Sequence, residues 1–491
     1  MARTSVSPSA SSASTATTSS GGHNPAHSRL LRGGLPMGVS KLVETTPLLL
    51  PDKVDNGQTP ASPPLASRSK LGSWLVLYRD SDAKTFVSCI IAFLGSGVLG
   101  FPYAFKQTGI LLGTALLLLV GALTAFCMLL IVECKYKIQQ QRGVVVSTYG
   151  EIGAVVMGRA GQWIVNLSLV VSQAGFAVAC AFSLSSLHGL HLIFISANVN
   201  AYFGISKQLV VLLCVPPLVL FCLIRHIKQL AYVALVADVM NFTGLAVVFV
   251  ADFTYMDFST TTTGDGASSN ALASLHWLGT LSSIPFFFGV ATYCFAGIGM
   301  ALPLENAMQH KRHFRRILLQ TVALIATLYG TFGICGYLAF GAETQDVVTL
   351  NIAGRGSLAT IVKLCLCGGL LCACPMMLFP VFEVLQPACL SPLRFHDRSA
   401  RTEQAITILF RACVVVAVAL LAGGAPSFGA FISFIGSTCC SCLGFVLPVV
   451  FHLALFRDSH STLSAWGFRL IMVLGLFAVG AGFYSAGASM F

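Results

Sequence analysis

Residues 84–106 read KTFVSCIIAFLGSGVLGFPYAFK, an apolar run with Gly95-Ser96-Gly97 at its centre and Pro102 five residues after Gly97. A helix that crosses a bilayer needs about 20 mostly apolar residues, and this run supplies them with no charge between its terminal lysines. Glycine and proline both weaken a helix interior, the first by backbone entropy and the second by removing an N–H donor. The stretch therefore predicts a membrane helix interrupted near its middle. Backbone groups freed at such a depth are tolerated only where they are covered by protein or line a cavity.

Working outward, ten further runs of this kind follow, at 109–133, 161–188, 207–224, 230–251, 278–304, 316–340, 358–383, 404–423, 427–456 and 466–487. The composition agrees: 55% hydrophobic and 10% charged residues with a mean hydropathy of +0.81, against about 45–50% and about 25% in soluble domains. The lipid bilayer is thus the expected solvent. Residues 1–75 are rich in Ser, Thr, Ala, Gly and Pro with no run able to pack, which predicts a disordered tail. No apolar h-region of a signal peptide follows the start.

The formal charge of +11, from 29 Lys and Arg against 18 Asp and Glu, would suit a nucleic-acid binder if it were gathered on one surface. Its placement argues otherwise. Basic residues fill the tail and alternate loops: Lys135, Lys137, Arg142 and Arg159, then Arg225 and Lys228, then Lys311, Arg312, Arg315 and Arg316, then Arg394, Arg398 and Arg401, and finally Arg457. The opposite loops hold Arg355 with Asp252, Asp257, Asp265, Glu343 and Asp346. This is the positive-inside pattern. It predicts a cytosolic N-terminus, a non-cytosolic C-terminus and no nucleic-acid partner. Most of the 17 cysteines lie inside apolar runs, where cysteine acts as a small packing residue. Helix geometry scatters Cys365, Cys367, Cys372 and Cys374, and no His accompanies them, so no metal is expected. Neither a cofactor nor a catalytic motif is legible, and an enzyme is not expected.

The sixth run repeats the device of the first, with Gly297-Ile298-Gly299 and Pro303. Runs one and six point in opposite directions, which predicts two inverted repeats at about 84–251 and 278–456, with 466–487 as an accessory helix. Matching Gly/Pro interruptions in two halves point to a transporter's binding site. Close helix packing is the other use of the same residues.

The segment Lys84 through Phe105 resembles the first helix of the amino acid/auxin permease family, and within it the proton-coupled and vacuolar branches. Phe295-Ala296-Gly297-Ile298-Gly299-Met300-Ala301-Leu302-Pro303-Leu304-Glu305-Asn306 is similar to that branch's sixth helix. Ala237-Asp238-Val239-Met240-Asn241, following Arg225-His226-Ile227-Lys228, is similar to its fourth-to-fifth helix region. The resemblance covers 84 to about 487 and implies eleven helices and an amino acid substrate. With the internal symmetry, the expected fold is an all-α membrane protein of eleven transmembrane helices, a five-plus-five inverted repeat (LeuT-like) plus one extra helix. Two departures bear on coupling. Ala296 stands where the family usually has Glu, and Ser88 where the animal proton-coupled branch has His.

A zwitterion suits an interrupted helix. Its carboxylate can accept from N–H groups around Ser96, Gly97 and Val98, at the positive end of the following half-helix. Its ammonium can donate to carbonyls near Phe93, Leu94 and Phe295. Gly95 and Gly97 let a ligand approach the backbone, while Ala296 and Gly297 leave room and supply no charge, which favours small neutral substrates. Asp238 falls near the middle of a run, where a charge costs ~2.5–3.5 kcal/mol on insertion scales. It is the candidate for proton coupling, against a structural, helix-paired role. Glu305, before a basic loop, is a gate candidate, against a solvated helix end. Glu133 and Glu383 read as interfacial. Ser172, Gln173, Ser433, Ser437 and Thr438 are read either as path-lining or as interhelical hydrogen-bonding groups.

Glu44-Thr45-Thr46-Pro47-Leu48-Leu49 fits the acidic dileucine pattern, which resembles sorting signals for lysosomes and vacuoles. It needs an exposed cytosolic peptide and would engage sorting adaptors. The expected function is secondary active transport of small neutral amino acids, driven by protons (sodium being the other coupling ion), at a vacuolar or lysosomal membrane or else the plasma membrane. The alternative is an amino acid sensor (transceptor) with little flux.

Overall fold

The computed structural model describes residues 81–199, 216–223, 227–255, 277–308, 310–351, 357–390, 400–424, 427–457 and 462–490, and every regular element among them is helical. Nine of these helices are long and apolar enough to span a bilayer, and a bent pair supplies a tenth. The protein is a multi-pass membrane protein. Of the run expected at 207–224, only 216–223 falls within the described residues. Glu44, Leu48 and Leu49 lie outside them, as does the rest of the tail.

The first run forms α1 (Ser81–Phe93), a 3-10 turn (Ser96–Gly100) and α2 (Phe101–Thr108), with a bend of 47° between the halves. Pro102 sits in the first turn of α2, where its fixed φ suits a helix start and its missing N–H costs nothing. The second run forms α3 (Ile110–Arg142), which continues nine residues past the expected end at 133. At 33 residues it is ~50 Å long and outreaches a hydrocarbon core of about 30 Å. Lys135 and Lys137 therefore belong to a helix and not to a loop. Gly143 ends it in the left-handed region (φ 65°), its N–H bonding to the Gln139 carbonyl at 3.0 Å. The turn into α4 (Tyr149–Val199) is a capping box: Glu151 N–H donates to Thr148 Oγ1, and Glu151 Oε2 accepts from the N–H groups of Ser147 and Thr148. Gly158 (φ 66°, ψ −153°) kinks α4 near its start.

Next come α5 (Ile227–Tyr255), then α6 (Ile284–Cys294), the sixth run's 3-10 turn (Ile298–Met300) and α7 (Ala301–Ala307). α8 (Phe314–Phe340), α9 (Ser357–Leu390) and α10 (Ala400–Gly424) follow. The tenth run comprises α11 (Phe428–Ile435), π-helical turns at Gly436–Cys440 and Cys442–Val446, and α12 (Leu447–Leu455), before α13 (Thr462–Met490).

Small residues set the approach of these helices, as expected where lipid supplies no hydrophobic drive between them. α5 lies along α9, with Leu366 over Gly244, Met240 over Gly368 and Asn241 over Gly369, and α9 packs on α4. α8 carries α2, with Phe101 and Phe105 seated on Gly333 and Pro102 on Gly336. α6 and the π-helical turn meet backbone to backbone at Gly289 and Gly436. The rings of Phe101, Phe105, Phe287 and Tyr329 form a buried aromatic core, with Phe101 5.1 Å from Tyr329 and Phe105 5.2 Å from Phe287 between centroids.

Candidate functional site

The helix of the first run stops at Phe93. Leu94 N–H still donates to Ile90 (3.1 Å), then Gly95 is fully extended (φ −135°, ψ −176°) and the chain re-enters a helical turn at Ser96. Val98 N–H returns to the Gly95 carbonyl at 3.4 Å, and the Phe93 carbonyl accepts the Tyr329 hydroxyl at 2.6 Å. Of the groups read from sequence as ligands, two are thus engaged within the protein. The N–H groups of Ser96 and Gly97 have no backbone carbonyl partner outside helices among the described residues.

The second break runs from Phe295 to Gly297. Ala296 N–H bonds to Tyr293 (3.3 Å) and Gly297 N–H to the Phe295 carbonyl (2.7 Å), so that carbonyl is also engaged. The Phe295 ring turns away from the opening and packs on Phe93 (6.1 Å) and Tyr329 (5.6 Å).

Both breaks border one cavity of about 230 Å³, below the ~300–1,000 Å³ of drug-sized pockets. Phe93, Leu94, Gly95, Ser96, Gly97, Ala296 and Gly297 all line it, joined by Asp238 and Asn241 of α5 and Gln173 of α4. Val98 does not line it and borders a small side pocket with Gly95, Ser96, Asp238 and Asn241. From the breaks the cavity extends beside Ser88 and Ala92 of α1, Leu304 of α7 and Met377 and Pro380 of α9, toward the end where α1 begins and α7 stops. The other end is shut. Ile432 and Phe428 press on Gly100, Tyr103 lies 5.9 Å from Phe286, and Phe101 lies 6.1 Å from Phe287.

The two glycines of the first break differ. A Cβ on Gly95 would meet nothing within 4 Å, whereas one on Gly97 would lie 2.6 Å from Cys294 Sγ and 2.7 Å from Tyr293 Cδ1. Gly97 serves the contact between the first and sixth runs; Gly95 leaves open space. Gly297 is likewise covered, by Phe93.

Glu305 is not a solvated helix end. It is fully buried and pairs with Lys135 Nζ, while Tyr136 donates its hydroxyl to the other carboxylate oxygen. Lys135, 3% exposed, also donates to Asn306 Oδ1, and Asn306 Nδ2 reaches the Ser147 carbonyl at 3.3 Å. The pair ties α7 to the extension of α3. Glu133 is exposed and faces His452 at 3.3 Å, as an interfacial residue would. Glu383 is half-buried, and one of its oxygens lacks a hydrogen bond. Ser172 bonds to Leu169 within α4, Thr438 to Phe434 in its own helix and Ser433 to Phe286 across to α6, so hydrogen bonding within and between helices accounts for them. Gln173 alone of that group borders the cavity.

Residues 79–488 match the family described as "Transmembrane amino acid transporter protein". The chain belongs to this family. Its members are transporters, not enzymes, and amino acids are the substrate class. The family member is 33% identical to "Amino acid transporter AVT3C" of Arabidopsis thaliana, over 84% of this chain and 91% of that one. It is 26% identical to "Vacuolar amino acid transporter 3" of Schizosaccharomyces pombe, over 76% and 53%. It is also 25% identical to "Proton-coupled amino acid transporter-like protein pathetic" of Drosophila melanogaster, over 82% and 83%.

Sequence reading missed several residues that border the cavity, among them Tyr329, Phe176, Tyr293, Met300 and Met377. Tyr329, Phe176 and Met377 sit in unbroken apolar runs, where a cavity-facing position looks like any core position, and Tyr293 and Met300 are apolar-run residues flanking the second break. Asn241 was detectable, being a polar residue one turn from Asp238.

Proposed function

We propose that this protein is a secondary active transporter of small neutral amino acids, coupled to protons, in a vacuolar or lysosomal membrane. The observation that carries the reading is the single small cavity shared by both helix breaks. In it the N–H groups of Ser96 and Gly97 hold the substrate carboxylate, the Leu94 carbonyl takes part of the ammonium, and Ala296 and Gly297 leave space without charge. Asp238, which lines the same cavity, carries the proton. Residues 84–487 form the transport domain, as inverted repeats at about 84–251 and 278–456 with 466–487 as accessory helix. The N-terminus is cytosolic and the C-terminus is not, so the cavity faces the cytosol and the aromatic layer closes the luminal side. Glu44, Leu48 and Leu49 direct sorting through cytosolic adaptors. Proton coupling draws support from the name of one relative, and the vacuolar address from the name of another and from the acidic dileucine pattern.

The test is uptake of a panel of radiolabelled amino acids into liposomes holding only this protein, with and without an imposed pH gradient. Small neutral amino acids should be taken up and accelerated by the gradient, and Asp238→Asn should retain exchange but lose the acceleration. Acceleration by a sodium gradient instead would replace the proton. Substrate binding with no flux in either mode would favour the sensor.

A further inference from the structure

Asp252 lies 14 residues beyond Asp238 on α5, about four turns and ~21 Å along the axis on nearly the same side of the helix. Sequence reading gives it to a loop. In the fold it is fully buried within the helix, and neither carboxylate oxygen has a hydrogen-bond partner. Its Oδ2 stands 3.4 Å from where a Cβ on Gly336 would be, and Pro102 covers the same glycine at 2.6 Å. The carboxyl group is therefore enclosed where α5 meets α2 and α8, at the shut end of the cavity.

Nothing charged compensates it among the described groups. From α8, Cys335 is its titratable neighbour. From α2, Lys106 directs its ammonium to the Thr344 carbonyl at 3.0 Å, and beyond α8, Asp346 accepts from the Phe428 N–H at 2.8 Å. Arg355, which precedes α9 in the chain, and the side chain of Lys363 lie outside the described residues. An ionised carboxylate buried without a partner costs several kcal/mol, whereas a neutral acid leaves only a polar group short of a bond, at about 1–3 kcal/mol. The shut arrangement thus requires the neutral acid. Separating α5 from α2 and α8 would admit water and let the acid ionise.

We propose that Asp252 is a proton-binding site that controls this end of the cavity, protonated when it is shut and ionised when it opens. Whichever state binds the proton more tightly is favoured as pH falls, so acid closes this end and alkali opens it. Under the transporter reading, the site would make luminal acid drive the return step after substrate has entered. The proposal uses that reading only to give the opening a purpose.

The test reads accessibility, not flux. The full chain carrying Tyr103→Cys is placed in lipid nanodiscs, with both faces open to solvent, and treated with a charged maleimide between pH 5.5 and 7.5. Gln345→Cys, at an exposed site, corrects for thiol ionisation, and the parent chain corrects for its own cysteines. The corrected labelling rate of the thiol introduced by Tyr103→Cys should rise about tenfold or more across that range. Asp252→Asn, which keeps the neutral shape, should label slowly at every pH, and Asp252→Ser should also lose the pH response should the Asn variant not fold. An unchanged pH response in these variants, or a flat one in the chain with native Asp252, overturns the proposal. A response that follows sodium at fixed pH, with choline as replacement, assigns the site to a cation instead. Loss of the response in Arg355→Gln would make Asp252 one half of an ion pair and end the proton reading. Labelling that fails while pH-driven uptake succeeds leaves the transporter reading intact, and the converse leaves the Asp252 site intact.

Discussion

At the first interruption the chain is fully extended at Gly95, while at the second Phe295 (φ −92°, ψ 12°) and Gly297 (φ −88°, ψ 5°) stay near a helical turn. The flanking sequences are alike, Gly-Ser-Gly against Gly-Ile-Gly, yet their surroundings divide the work. Gly95 faces open space, whereas Gly297 is filled by the Phe93 ring and Gly97 by Tyr293 and Cys294. The helices beyond the breaks differ too. α7 is tied to α3 by the buried Glu305–Lys135 pair, whereas at the same end α1 carries the more exposed contact of Asp82 with His313. Glycine spacing marks where a helix stops. What fills the space beside each glycine decides whether the stop receives a ligand or a neighbouring helix.

The sharpest way to break this comparison is to free α7. Glu305→Leu leaves Lys135 charged and buried, a change that ordinarily costs about 3–5 kcal/mol. The variant should unfold at much lower temperature in a melting assay in detergent. Lys135→Met with Glu305→Leu replaces both charges by apolar groups and should recover most of the loss. If Glu305→Leu melts like the native chain, α7 is not anchored here and the distinction between the two lower half-helices fails.

Smaller, but decisive for the glycines, is Gly97→Val. Its Cβ would fall within 2.8 Å of both Tyr293 and Cys294, and overpacking of this kind costs about 1–3 kcal/mol. Sequence alone leads one to expect a folded, inactive protein; the packing calls instead for reduced thermal stability and poor recovery of monodisperse material. Gly113→Val, in α3, should cost stability as well, since Phe105 would meet its Cβ at 2.8 Å.

Gly95→Ala tests the other half. Its extended backbone suits alanine and its Cβ would meet nothing within 4 Å, so melting should be unchanged. The added methyl intrudes where substrate is proposed to lie, and half-saturation for uptake should rise about tenfold, equivalent to ~1.4 kcal/mol. Native affinity together with native stability would remove Gly95 from the substrate site.

These contrasts also show how far sequence reading reached. The spans among the described residues and both breaks were legible because bilayer thickness and helix chemistry leave few ways to arrange long apolar runs punctuated by Gly and Pro. The cavity's backbone wall at 93–97 and 296–297 followed from the breaks, and Asp238 stood out as a charge inside a run. Three things were not legible. α3 continues past the hydrocarbon, so Lys135 read as a topology signal although its partner is 170 residues away. Asp252 read as a loop residue because it falls one residue past the run at 230–251, and it is the packing of α5 with α8 and α2 that buries it. The difference between Gly95 and Gly97 depends on side chains of the sixth run, which no local pattern around residue 95 encodes.

The smallest expected effect concerns α1. Asp82 Oδ2 lies 2.6 Å from His313 Nδ1, linking the start of α1 to the turn before α8, with the two side chains 29% and 56% exposed. Short as it is, the contact joins two partly exposed side chains, and holding them together costs entropy that offsets much of the attraction. Such pairs contribute about 0–1 kcal/mol. Asp82→Asn should therefore shift melting by only a degree or two, and less still in high salt, where the native contact is screened as well. The contrast with Glu305→Leu is what carries information, because both pairs fasten a lower half-helix at the same end of the molecule and differ chiefly in burial. A loss for Asp82→Asn as large as that for Glu305→Leu would mean that α1 is held as firmly as α7. The asymmetry between the two half-helices would then have to come from somewhere other than these ion pairs.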